Sequence, residues 1–272
     1  MSGTATVERP TGQAVEKAPP VLIARDIVKE LGRGAAMVRA LKGVSLELYP
    51  GELTLLMGPS GSGKTTLLSI LGCILAPTSG TLSIAGQDTE GMKPEALADL
   101  RRQHAGFIFQ GYNLFPTLNA EENVRLALEV RGQKGTDQIV RAQRALQQVG
   151  LSHRMRSVPS HLSGGEKQRV AVARAIASNP SLILADEPTA ALDSENGQQV
   201  MALLSDIARN STHAVLAVTH DPRTIPYADR ILRIEDGLIV GEDRGPGPDS
   251  GGTVRKLSPA PHVRDKKRKP NG

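Results

Sequence analysis

LTLLMGPSGSGKTTLLSILGCIL, Leu53 to Leu75, decides the reading of this chain. LTLLM is an apolar run suited to a strand buried on both faces, and LLSILGCIL is compatible with a helix. Between them GPSGSGKTT fits G-x-x-x-x-G-K-[ST] in the strand, loop, helix setting that this pattern requires. The chemistry demands these residue types. Glycines let backbone N–H groups converge on phosphate oxygens, Lys64 neutralises charge at the β and γ positions, and the Thr65 hydroxyl reaches Mg²⁺. Gly58, Pro59, Ser60, Gly61, Ser62, Gly63, Lys64, Thr65 and Thr66 are therefore candidate phosphate-binding residues.

Working outward, SLILADEPT is an apolar run that ends in Asp186 and Glu187, the form a buried strand takes when it delivers carboxylates to its C-terminal edge. Asp186 is placed to complete the Mg²⁺ shell and Glu187 to polarise an attacking water. In HLSGGEKQRVAVARAIA, Ser163, Gly164 and Gly165 stand at the mouth of an Ala/Val-rich helix, so backbone donors and helix dipole present a second anion site. Two phosphate-binding elements are redundant in one monomeric site. They make sense if each completes the other's site across a dimer.

Short strand patterns alternate with helical ones over the rest of the chain, which predicts an α/β fold. VLIARDIV and VSLELY alternate apolar and polar residues, as in a half-exposed antiparallel sheet, whereas LILAD and AVLAVTH read as fully buried strands. Asp236-Gly237 inside ILRIEDGLIV is a hairpin signal. From Glu121 to Leu151, helical spacings ending in glycine predict an inserted helical subdomain. Taken with its flanks, that subdomain spans about 112–165.

The chain has 272 residues, 39% of them hydrophobic, with one cysteine, no tryptophan and six aromatics (Phe 3, Tyr 3), enough apolar material for one large domain or two small ones. A single cysteine, Cys73, excludes an internal disulfide and favours a reducing compartment, so the chain reads as intracellular. Met1 to Pro20 lacks the apolar run of a secretory signal, and the longest uncharged stretch, Thr65 to Gln87, is broken by Gly72, Pro77 and Gly80, which speaks against a spanning helix. Net charge is +5, of which the segment from Glu242 onward carries +4 (eight Lys/Arg against four Asp/Glu). The near-neutral remainder argues against a nucleic-acid surface, and no nucleic-acid partner is expected. Residues 1–20 and 242–272 read as disordered tails around a 21–241 domain. The histidines His104, His153, His161, His213 and His262 show no metal-ligand spacing.

With these motifs in hand, the sequence resembles the ATP-binding cassette family, specifically the nucleotide-binding subunit of a transporter. GPSGSGKTT resembles its Walker A, LILADE its Walker B, LSGGE its signature, FIFQ with Gln110 its Q-loop, AALD with Asp193 its D-loop and VTH with His220 its switch histidine. The resemblance covers about Val21 to Gly241. It implies a P-loop NTPase core with a mixed central sheet, an antiparallel β subdomain and the helical insertion. It also implies ATP hydrolysis with Mg²⁺, and two subunits sandwiching two ATPs head to tail. By that resemblance Ser163 and Gly165 contact the γ-phosphate bound by the partner, Asp193 communicates across the interface, Gln110 senses metal and lytic water, and His220 holds the γ-phosphate.

The segment KELGRGAAMVRALKGVSL and the stretch FIFQGYNLFPTLNAEENV resemble the exporter-like subgroup of lipoprotein-releasing, macrolide-efflux and heterocyst glycolipid-export ATPases. The resemblance implies a separate integral-membrane permease, in some cases a periplasmic adaptor, and a place at the cytoplasmic face of the inner membrane. Phe107, Phe109, Tyr112, Leu114 and Phe115 are expected to contribute partly to core, with Tyr112 to Phe115 forming a groove for the permease. Leu31 stands where the family usually has an aromatic stacking on adenine. Glu166 and Ala190 replace the commoner Gln and Ser and are expected to be tolerated. The alternative function is a regulatory cassette that switches a membrane partner without transport, as in cell division.

Overall fold

The computed structural model describes residues 18–209, 212–246 and 255–256. Most of the two expected tails lies outside these residues. The strand Leu238–Arg244 runs past the expected domain end at 241 into the stretch expected to be a disordered tail, and Arg255–Lys256 pairs with its end, Asp243 opposite Lys256. Backbone pairing along the preceding hairpin carries the chain past the composition change at Glu242.

In chain order the elements are β1 (Leu22–Leu31), β2 (Val38–Leu48), β3 (Leu53–Met57), α1 (Lys64–Leu71), β4 (Ser79–Ile84), β5 (Gln87–Asp88), α2 (Pro94–His104), β6 (Ala105–Ile108), α3 (Ala120–Val130), α4 (Thr136–Gln148), α5 (Gly164–Ile176), β7 (Leu182–Asp186), α6 (Ser194–Arg209), β8 (Ala214–Thr219), β9 (Arg230–Glu235), β10 (Leu238–Arg244) and β11 (Arg255–Lys256). They build a four-stranded antiparallel sheet, β2-β1-β4-β5, and a mixed sheet, β11-β10-β9-β3-β8-β7-β6. Within the mixed sheet β6, β7, β8, β3 and β9 run parallel, and β10 returns antiparallel to β9. Asp236 and Gly237, both at positive φ (45° and 76°), make the turn between them, as two-residue hairpins of this twist require.

Strand alternation divides the apolar side chains of the mixed sheet between two cores. Leu55, Ile183, Ala185, Val215 and Ala217 face a core shared with α3, α4, α5 and α6. Leu56, Leu182, Leu184, Leu216 and Val218 face the other, where α1 contributes Leu67, Leu68, Ile70 and Leu71, and the antiparallel sheet Leu22, Ile27, Leu41 and Leu46. The sheet is therefore held from both sides, and its parallel strands are pinned in register.

The helical insertion consists of α3 and α4 packed on α5. Two capping boxes fix its helix starts: Asn119 with Glu122 at α3, and Ser163 with Glu166 at α5. Each satisfies backbone donors that a helix N-terminus otherwise leaves open, and a cap of this kind contributes about 1 kcal/mol. Leu118 to Asn119 and Leu162 to Ser163 are thus the points where the sequence starts a helix rather than letting it drift.

Candidate functional site

The parallel register brings four strand ends to one edge. Met57 pairs with Thr219, Asp186 with Val218, and Ala185 with Ile108, so Gly58, Asp186-Glu187, His220 and Phe109-Gln110 all leave the sheet at its C-terminal side. That is where parallel α/β sheets place their ligands.

The loop from Gly58 to Gly63 opens into α1. Gly63 caps this helix at φ 99°, and a β-carbon there would come within 2.8 Å of the Ala40 carbonyl oxygen, so both backbone conformation and the approach of β2 require glycine. Lys64 is only 8% exposed, and its Nζ donates to the carbonyl oxygens of Gly58 at 2.8 Å and Pro59 at 2.7 Å. The ammonium is thereby held at the centre of the loop, folded over onto its own backbone. The Ser62 hydroxyl is buried with no hydrogen-bond partner, a polar atom left open in a loop of anion-binding shape.

Across the edge, the Thr65 hydroxyl donates to Asp186 Oδ1 at 3.4 Å. Burial raises the Asp186 carboxyl above the usual aspartate range, and the neighbouring Glu187 charge pushes the same way, while Thr65 and Lys64 oppose them. A carboxylate in that position gains from a cation. Among the described residues no group of three or more His, Cys, Asp or Glu side chains is placed to hold a metal ion. The Thr65 hydroxyl beside the Asp186 carboxylate fits the sparse oxygen ligation that Mg²⁺ favours next to substrate phosphates. Glu187 sits at φ 46°, a left-handed conformation that costs a non-glycine residue energy, and its N–H is anchored on the Val218 carbonyl at 2.9 Å. Its Oε1 lies 2.8 Å from His220 Nδ1. Gln110 is exposed at the same edge, and its side chain is not hydrogen-bonded to Thr65 or Asp186.

The second anion element lies apart from the first in the chain. Ser163 Oγ accepts the Glu166 N–H at 3.2 Å, which leaves the hydroxyl proton free to donate outward. Glu166 Oε2 accepts the Ser163 N–H at 2.8 Å, and Arg154 Nε donates to Oε1 at 3.0 Å. The backbone N–H of Ser163 is the main reason that the Glu166 carboxyl lies below the usual range, with Arg154 adding to it. Glu166 is therefore a working part of the cap. The S-x-x-E spacing carried that signal. Gly165 has no room for a side chain, since a β-carbon would overlap the Asn196 amide. Asn196 donates from Nδ2 to Asp193 Oδ2 at 2.7 Å and from N to Oδ1 at 2.9 Å, so Asp193 caps α6 and is tied to the glycine pair through one side chain.

Beyond Gln110 the chain turns through Tyr112 (φ 61°) and Asn113 (φ 48°). Arg174 of α5 clamps this turn, donating Nη2 to the Tyr112 carbonyl at 2.8 Å and Nη1 to the Asn113 carbonyl. No local pattern in the sequence marks Arg174 for this task. Phe107 and Phe109 stack on each other at 5.7 Å, Leu114 packs on the core, and Phe115 is 52% exposed. On the other flank of the phosphate loop, Leu31 lies directly across from Val38 in the β1–β2 ladder, and both are exposed.

Fold and edge together define a P-loop nucleotide hydrolase. The family model described as "ABC transporter" matches residues 41–190. The chain belongs to the ABC transporter family, whose cassettes hydrolyse ATP. Over 221 residues it is 47% identical to the macrolide export ATP-binding/permease protein MacB of Shigella flexneri, covering 81% of this chain and 34% of that protein. MacB of Escherichia coli (strain K12) matches equally, 47% over 221 residues with the same coverages. The chain thus spans about a third of the length of these curated relatives, 34%. Among solved structures, the dimeric post-hydrolysis state of the ATP-binding cassette MJ0796 bound to ADP and Pi superposes with a TM-score of 0.75 at 39% identity, covering 82% of this chain and 98% of that one. CbiO1 of Clostridium perfringens, part of the transporter complex cbiONQ, gives 0.74 at 27% identity, covering 85% and 90%. Among the described residues no helix is long and apolar enough to cross a membrane.

Proposed function

We propose that this cassette forms an ATP-sandwich dimer and couples its closure to export through a membrane permease at the cytoplasmic face of the inner membrane. One observation supports this most: phosphate loop, paired carboxylates and His220 converge on one sheet edge, while the Ser163–Gly165 element, equally formed for an anion, makes no hydrogen bond to that edge within its own chain. A second copy, turned head to tail, brings each signature element to the other's loop. The MacB relatives are described as ATP-binding/permease proteins, and Phe115 is exposed beside the Q-loop, where a permease segment would dock.

In the reaction Lys64 leaves its loop carbonyls for the β and γ oxygens of ATP, and the partner's Ser163 hydroxyl and Gly165 N–H close over the γ-phosphate. Mg²⁺ would be held by Thr65 and Asp186 and would supply charge neutralisation on the phosphates. Glu187 accepts the proton of the attacking water, with His220 holding the carboxylate in place and meeting the γ-phosphate. Gln110 stands at the mouth to sense closure.

The test is the Glu187→Gln variant of the purified chain, with Lys64→Ala as the nucleotide-site control. The amide keeps its hydrogen bond to His220 but cannot take a proton, so turnover should stop while a dimer accumulates in ATP. Sizing that shows only monomer, at ATP well above its dissociation constant, would reject the composite site.

A further inference from the structure

On the far side of His220 from Glu187, the chain makes a contact that none of the motifs contains. Asp221 follows the histidine and caps the 3₁₀ stretch Pro222–Tyr227, its Oδ1 accepting the Arg223 N–H at 2.9 Å. The Arg223 side chain returns onto the same carboxylate, with Nε 3.0 Å from each oxygen and Nη2 2.8 Å from Oδ2. Its remaining terminal nitrogen, Nη1, donates to the hydroxyl of Ser194. Ser194 is the first residue of α6 and follows Asp193 directly. Thr189, Asp193, Ser194, Asp221, Arg223 and Thr224 line one narrow crevice, so the two loops meet along a face and not at a single atom.

We infer that Arg223 is a positioning residue, a strut that fixes the distance between the switch-histidine loop and the start of α6 and so ties the placement of His220 to that of Asp193. The contacts are continuous: Glu187 to His220 at 2.8 Å, one peptide bond to Asp221, the guanidinium fork, Ser194, and one peptide bond to Asp193. A planar guanidinium suits the task because it presents donors on two edges in a fixed relation, one edge to the carboxylate and the other to the hydroxyl. An ammonium carries all its donors on one atom and lacks that fixed two-edge relation. Ser194 and the Arg223 side chain are exposed, whereas Asp221 is half-buried and anchored by the Thr219 and Thr224 hydroxyls, so the fork reaches from a fixed loop to the open start of α6. This inference rests on the roles proposed above for His220 and Asp193.

The experiment measures ATP turnover against ATP concentration for the full chain and for Arg223→Ala, Arg223→Lys, Ser194→Ala, Ser194→Thr and the Arg223→Ala/Ser194→Ala double variant. Loss of the strut should lower kcat about fivefold to tenfold in either alanine variant, with KM for ATP within about twofold because neither side chain touches nucleotide. The double variant should fall no further than the worse single one, since both delete one contact. Ser194→Thr keeps the hydroxyl and should retain parental kcat. Arg223→Lys should be as slow as Arg223→Ala. Parental kcat in both alanine variants, additive losses in the double, or restoration by lysine would each overturn the strut, the last by showing that only charge on Asp221 matters. Should Arg223→Ala fail to fold, Ser194→Ala deletes a single exposed hydroxyl and decides alone. His220→Ala separates the two levels of inference: full turnover there removes the reading of the switch, whereas abolished turnover beside parental Arg223→Ala and Ser194→Ala removes the strut only.

Discussion

Phe115→Ala distinguishes a docking surface from a packed core. The side chain is 52% exposed, so truncation forfeits roughly half of what a fully buried phenylalanine contributes. Full burial is worth about 1.5 to 3 kcal/mol, which puts the loss near 1 kcal/mol. For a domain of this size each kcal/mol moves the melting midpoint by about 2 to 4 °C, so calorimetry of the isolated chain should show a drop of only a few degrees. The same truncation in a sealed core costs about 3 to 5 kcal/mol, with a drop above about 6 °C. Binding should respond in the opposite proportion. An aromatic anchor in a protein interface typically loses 2 kcal/mol or more on truncation, about a thirtyfold weakening. Co-purification with the membrane partner from detergent should therefore fail while ATP affinity stays parental, since Phe115 makes no contact with the phosphate loop. A midpoint lowered by more than about 6 °C, or undiminished co-purification, would refute the docking role.

Leu31→Tyr should tighten ATP binding by up to about tenfold, the equivalent of about 1.4 kcal/mol, because an aromatic ring in place of a half-open Leu31–Val38 pair adds a stacking face; fluorescent-nucleotide titration reads it, and an unchanged constant would mean the aliphatic pair already fills that surface. His213 supplies a pH test. Burial holds its imidazole below the usual histidine range, only partly offset by the Pro180 carbonyl. Its neutral form is thus favoured by folding, and stability should be full above about pH 6.5 and decline as pH falls through the folded value. The melting midpoint of the parent should fall more between pH 7.5 and 5 than that of His213→Gln, and parallel profiles would refute this assignment.

The parts of the fold that could be read in advance were those written in local chemistry. Buried parallel strands announced themselves as apolar runs at Leu53, Leu182 and Ala214, and the phosphate loop by glycine spacing, because each needs only neighbours in the chain. α2 and β4 were passed over: Pro94–His104 is mostly exposed, with Leu100 its one buried side chain, and β4 is polar over its first three residues. The site was legible as motifs but not as contacts. Arg174 on the Tyr112–Asn113 turn and Arg223 on Ser194 depend on segments far apart in sequence, and no residue spacing encodes them, whereas the Asp193 cap of α6 is written locally in the three-residue step to Asn196. The antiparallel edge also outran its composition, since backbone pairing holds Glu242–Arg244 in β10 despite the charge that begins there.

Arg174 decides which body the segment after Gln110 belongs to. Tyr112 and Asn113 are bonded to α5 through their carbonyls, and the Phe115 N–H is held by Asn123 of α3 at 2.8 Å, so this stretch is fastened to the helical layer. Gln110 comes two residues after the end of β6 and stands at the sheet edge. Between them the chain has one tight turn, closed by the Tyr112 N–H on the Phe109 carbonyl at 3.1 Å, and no slack to take up displacement. Gly111 is thus the short covalent joint between a segment bonded to α3 and α5 and a residue that follows β6, so Phe115 and Gln110 are held by different layers although five residues apart.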